Sequence, residues 1–170
     1  MLENGDLIFV RDHTEMGQAI QASTGNYSHV AIFLDGKVYH ATVEGGVLAQ
    51  SSEDFFETEK VYDLYRYAEI DDKEVKKRAE NLLGAPYNAS FYPNGDGFYC
   101  SQFVAEILPI FETIPMKFGE GEQEISSFWE DYYRELDLAV PLNQPGTNPS
   151  QLAQSPRLQF KERYTDDSDS

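Results

Sequence analysis

An α+β fold, a mostly antiparallel sheet packed against helices, follows from three features of the sequence. Short β-type runs punctuated by turn residues dominate the segment up to Arg66, and three stretches of helical apolar spacing come after it. The 170 residues are 41% hydrophobic, with eleven Phe and eleven Tyr, which suffices for one packed core.

Leu7-Ile8-Phe9-Val10 is a strand-type run entered through Gly5-Asp6, and Met16 to Ala22 reads as a short helix capped near Thr14. His29 to Leu34 and Lys37 to Thr42 are two strands joined by Asp35-Gly36, the dipeptide favoured where both turn residues need positive φ. Val47 to Gln50 and Val61 to Arg66 are further strands, separated by a short helix starting near Ser52. Asp72 to Leu83 carries Val75, Ala79, Leu82 and Leu83 at helical spacing and stops at Gly84, with Pro86 beyond. Tyr92 to Gly97 is loop; from Cys100 a buried helix is expected, with Phe103, Val104, Ile107, Leu108 and Phe111 on one face. Ser126 to Leu136 is another amphipathic helix, and Pro141 to Pro156 is expected as an extended wrap. Residues 1–164 read as a single domain, and 165–170 as a disordered acidic tail.

A net charge of −17 argues against nucleic-acid or anionic-membrane binding, both of which need clustered Lys and Arg. A neutral or cationic small substrate fits better, although an acid excess also serves solubility alone. One cysteine rules out an internal disulfide framework and a Cys-cluster zinc site. The N-terminus has no basic region followed by a long apolar run, and no stretch is long enough to span a bilayer, so a cytoplasmic location is expected.

Chemistry concentrates at Cys100, His29 and His40. A cysteine in the first turn of a helix feels the positive end of the macrodipole and unpaired backbone N–H groups, which favours a thiolate. The alternative for Cys100 is a small core residue at a helix start. The two-residue turn at Asp35-Gly36 pairs Leu34 with Lys37 and Ala31 with His40, so His29 and His40 share one sheet face as diagonal neighbours. One imidazole is then able to orient the other, the base-plus-orienter arrangement of thiol catalysis. Glu44, just past the strand, is the reserve orienter. Against this stand a satisfied core histidine at 29, a half-exposed one at 40, or a zinc site, for which no further ligand motif completes the set.

Gly5-Asp6-Leu7-Ile8-Phe9, Tyr27-Ser28-His29-Val30-Ala31-Ile32, Gly84-Ala85-Pro86-Tyr87-Asn88 and Tyr99-Cys100-Ser101-Gln102-Phe103 come in the order used by permuted NlpC-type amidases. The set resembles their YaeF/YiiX branch, as does Pro145 to Ser155. The resemblance implies a circularly permuted papain-like fold, the His-bearing strand preceding the Cys-bearing helix, with Cys100 as nucleophile and His29 as general base. The strand that often ends in Glu-Ala in this branch reads Tyr39-His40-Ala41 here, so His40 takes the third polar place. The implied activity is a cysteine amidase or peptidase acting on a peptide or N-acyl amide, including cell-wall-derived peptide, without cofactor or metal. Lecithin:retinol acyltransferase-like proteins, a neighbouring permuted group, use a second histidine on the equivalent strand. An acyltransferase or lipid hydrolase is therefore the enzymatic alternative, and a binding module on the same fold the non-enzymatic one.

Overall fold

The computed structural model describes residues 2–11 and 14–165. The main sheet is formed by β1 (Leu7–Val10), β2 (His29–Leu34), β3 (Lys37–Thr42), β4 (Gly46–Ser51), β5 (Tyr62–Tyr67) and β8 (Leu158–Tyr164), ordered β4-β3-β2-β1-β5-β8. Every pairing within it is antiparallel. Helices α1 (Glu15–Thr24), α2 (Ser52–Thr58), α3 (Asp72–Asn81), α4 (Cys100–Ile107), α5 (Ser127–Leu136) and α6 (Pro149–Ala153) surround it, and two-residue strands β6 (Ile114–Pro115) and β7 (Pro145–Gly146) pair apart from it.

The β2–β3 hairpin has the register expected from Asp35-Gly36: Leu34 faces Lys37 and Ile32 faces Tyr39, with both turn residues at positive φ (50° and 81°). Strand alternation then sorts the hairpin onto two faces. Val30, Ile32, Leu34, Tyr39 and Ala41 join one core cluster with Phe103, Val104 and Ile107 of α4, while Ala31 and Val38 join another with Phe55 of α2. Four helix starts follow from their sequence: Thr14, Ser51, Asp71 and Ser126 accept hydrogen bonds from N–H groups of the first turn, each such cap being worth about 1 kcal/mol.

Besides the unexpected two-residue strands β6 and β7, three elements differ from expectation. Helix α4 stops at Ile107, short of Phe111, because Leu108 precedes Pro109 and takes an extended conformation at φ −127°, ψ 82°. Within the expected wrap at 141–156, Pro149–Ala153 is helical. Asn148 and Gln151 form a reciprocal capping box and Pro149 occupies the first helical position. Strand β8, not expected at all, pairs with β5 and places Arg163 in a bidentate contact with Asp63, at 2.9 and 3.0 Å. The disorder expected for 165–170 concerns, beyond Thr165, residues outside those described. Among the described residues no helix is long and apolar enough to cross a membrane.

Candidate active site

The entry to β2 is tied down from two sides. Tyr27, just before His29, donates its hydroxyl to Asp63 on β5 and its backbone N–H to Ser150 Oγ at 3.0 Å. His29 is consequently fixed as the first residue of a strand whose next three members are fully buried. At the other end of the same strand pair, Asp6 is 0% exposed and receives Arg66 at 2.7 and 2.9 Å, joining the start of β1 to β5.

The start of α4 is held as firmly. Gln102 Oε1 accepts from the backbone N–H of Tyr99 at 3.1 Å and from Asn88 Nδ2 at 3.2 Å. The Pro145 to Pro149 segment crosses the first turn: Thr147 N–H donates to the Tyr99 hydroxyl at 3.2 Å and Thr147 Oγ1 lies 2.9 Å from Ser101 Oγ. Gly97 is required in the approach to Cys100. It sits at φ +86°, and a Cβ there would stand 1.9 Å from the Pro86 carbonyl oxygen. The Tyr99 side chain does not cap the helix, which leaves the first-turn amides available.

Cys100 and the histidines reach the same cleft from different faces of the sheet. His29 and His40 lie on the α2 face, where the His40 ring meets Phe55 edge to face at 5.3 Å between centroids. Cys100 belongs to the opposite core cluster. The two groups meet at the start of β2, where Ser28, His29, His40, Gln50 and Cys100 line one cleft of about 650 Å³. Glu44, in the β3–β4 turn, lines it too and is exposed.

His29 Nε2 is 2.8 Å from His40 Nδ1, and His40 Nε2 is 2.6 Å from Gln50 Oε1. These contacts determine both tautomers. An amide oxygen only accepts, so His40 carries its proton on Nε2 and presents a bare Nδ1; His29 then donates from Nε2 and keeps a lone pair on Nδ1. His40 is the residue in contact with His29 Nε2, while Glu44, the reserve candidate for an orienting role, is exposed in the β3–β4 turn. Sequence reading missed Gln50, although the β3–β4 register contains it: His40 faces Leu48, which makes Gln50 its diagonal neighbour on the same face.

Burial governs the charge state. His29 is driven down to about 3 by desolvation, with His40 adding to the shift, and His40 is lowered by desolvation against the opposing bond to Gln50. Both rings are neutral at pH 7. The Cys100 thiol, 7% exposed, is pushed up to about 11 by burial, and the backbone amides of Val30, Ser101 and Cys100 only partly offset that. The thiolate expected from the helix start is therefore not the resting state: loss of hydration outweighs the dipole. Among the described residues no hydrogen bond joins the thiol to His29. Because the thiol titrates above its ordinary range, alkylation by iodoacetamide should be slower than that of free cysteine at pH 7 and should accelerate as pH rises toward 11. Mass-spectrometric time courses measure this; labelling at pH 7 as fast as free cysteine would contradict a buried neutral thiol.

No curated protein matches the chain significantly. Among solved structures, the metalloprotein yiiX from Escherichia coli superposes with a TM-score of 0.76 at 22% identity, over 95% of this chain and 97% of that one, a likeness of fold. In this chain His29 Nε2 and His40 Nδ1 are turned on each other rather than on a common third point. Among the described residues no three His, Cys, Asp or Glu side chains are grouped to hold a metal ion. The donor set of the described residues thus does not fit a metal centre. The profile of the permuted papain-like amidase enzymes, YaeF/YiiX, matches residues 1–160. With His29 on a strand that precedes the Cys100 helix and the sheet packed between helices, the chain belongs to the permuted papain-like amidase family of YaeF and YiiX.

Proposed function

We propose that the chain is a cysteine hydrolase that cleaves an amide bond of a peptide or N-acyl amide through a thioester on Cys100. Support comes chiefly from the relay of Gln50, His40 and His29, which leaves His29 Nδ1 unprotonated, with His29 and Cys100 lining the same cleft. Sγ attacks the carbonyl carbon while its proton passes to His29 Nδ1; the two charges form together, so each offsets the desolvation of the other. The lone pairs of His40 Nδ1 and Gln50 Oε1 both point back along the relay toward the new imidazolium, which stabilises it. First-turn amides of α4 stabilise the oxyanion. His29 then returns the proton to the departing nitrogen, the C–N bond breaks, and water repeats the sequence to release the acid. Contacts of this kind are commonly long without substrate and tighten when it binds.

Passing the same thioester to an alcohol or amine would make the protein an acyltransferase, the reading that the second histidine favours. Incubation with a panel of amides and esters, followed by intact-mass and peptide-level spectrometry, separates the outcomes. Hydrolysis predicts a transient acyl mass on Cys100 and free acid as product in water alone. Acid production without any adduct under rapid acid quench, or an adduct on another residue, would remove the thioester from the mechanism.

A further inference from the structure

Asp63 on β5 is 2% exposed, and its carboxylate accepts from the Tyr27 hydroxyl and, bidentately, from Arg163 of β8 at 2.9 and 3.0 Å. Burial alone would raise that carboxyl; the bonds from Arg163 and Tyr27, with Arg11 adding a further positive charge, more than offset it and keep the group ionised. An apolar residue at 63 would carry no such desolvation cost, and a buried carboxylate with its cation is weak ground for stability. What the carboxylate adds is a fixed acceptor for Tyr27. The tyrosine ring packs on Phe9, which Asp63 faces across the sheet, at 5.3 Å between centroids. None of Tyr27, Asp63 and Arg163 lines the cleft.

We propose that Tyr27, Asp63 and Arg163 act together as positioning residues for His29, so that the last strand of the chain, through the Tyr27 hydroxyl, holds the imidazole at its angle to His40 and the cleft. The proposal rests on the role given above to His29 as general base. His29 is the first residue of β2, so strand pairing secures its backbone on the C-terminal side. On the N-terminal side the chain is held by Ser28 N–H on the Val10 carbonyl at 2.9 Å, by Tyr27 N–H on Ser150 Oγ at 3.0 Å and by the Tyr27 hydroxyl on Asp63. Of these three the last is charge-assisted and the strongest by type. It ties the base to β8, more than a hundred residues later in the chain, and a base displaced by a fraction of an ångström loses rate rather than substrate affinity.

Tyr27→Phe removes the hydroxyl and keeps a ring on Phe9, so the protein should stay folded. The chain has three histidines, which makes nitrogen NMR of histidine-labelled protein a simple readout that needs no turnover. In the wild type His29 Nδ1 should resonate as an unprotonated nitrogen. In Tyr27→Phe it should move toward the protonated position by about a tenth of the span or more, as the ring loses its fixed contact with His40. On an amide that the wild type hydrolyses, kcat should fall roughly ten- to a hundredfold with KM within about twofold. The paired replacement Asp63→Val with Arg163→Leu leaves no buried charge unpaired and should show the same nitrogen shift and the same loss, with Tyr27→Phe adding nothing further in the triple variant. Should the paired variant not fold, Tyr27→Phe decides alone through the nitrogen spectrum. An unchanged His29 signal in the folded variants, losses that multiply in the triple variant, or an effect confined to KM or to melting temperature overturns the proposal. A nitrogen shift in Tyr27→Phe, where the wild type hydrolyses no amide offered, would uphold the positioning of His29 and overturn the hydrolase reading instead.

Discussion

Replacing Cys100 with alanine should reduce turnover by roughly 10⁴- to 10⁶-fold, the scale of loss when a covalent nucleophile is removed, while the protein stays folded. The fold does not depend on the thiol. Helix α4 is anchored by Phe103, Val104 and Ile107, all 0% exposed, and its start is held by Gln102, Asn88 and Thr147. Cys100→Ser is the stricter variant, since it keeps the geometry and a nucleophilic atom. His29, driven down to about 3, is a weak base in its resting environment, and an alcohol is a far weaker acid than a thiol. Serine should therefore remain near the alanine level. Hydrolysis rates of the purified variants, paired with thermal melts to show that both are folded, check the prediction; turnover within tenfold of wild type in either would deny Cys100 the role of nucleophile.

Much of the arrangement around the cleft was written locally. Asp35-Gly36 sets a two-residue turn, the turn sets the register, and the register puts His29 and His40 on one face whatever the rest of the chain does. Helix α3 was equally legible, because Asp71 caps it and its apolar residues recur at helical spacing. Strand β8 was not: of its seven residues only Leu158 is buried, and its partner β5 lies about a hundred positions earlier. Across it Asp63 meets Arg163, a long-range contact that no local pattern announces. Helix α6 did carry a local signal in Asn148-Pro149-Ser150-Gln151, masked by the surrounding Pro and Gln. The charge state of Cys100 was the least accessible feature. A helix start argues for a thiolate, but the sign of the shift is decided by how thoroughly the position is buried in the core that includes Tyr27 and Val30, which is tertiary information.

The relay predicts graded losses along its length. In the proposed mechanism His29 is the only member that exchanges a proton with the reacting atoms, so His29→Ala should cost roughly 10²- to 10⁴-fold in kcat/KM, the usual contribution of general acid–base catalysis. His40→Ala should cost distinctly less, because water can accept from His29 Nε2 in its place, although without fixing the ring. Gln50→Leu should cost less again: His40 keeps contact with His29 but loses the acceptor that selects its tautomer, and a fraction of molecules then hold the His29 proton on Nδ1, where it blocks attack. His40→Glu distinguishes orientation from bulk. A carboxylate accepts from His29 Nε2 as His40 Nδ1 does, and the Gln50 amide can rotate to offer its NH₂ in place of Oε1. The variant should thus retain more activity than His40→Ala, and its negative charge should raise the His29 proton affinity, moving the acid limb of kcat/KM to higher pH. A merely structural His40 would not move that limb. If His40→Glu and His40→Ala prove equally active, with the same acid limb as wild type, the two-histidine relay is not part of the reaction.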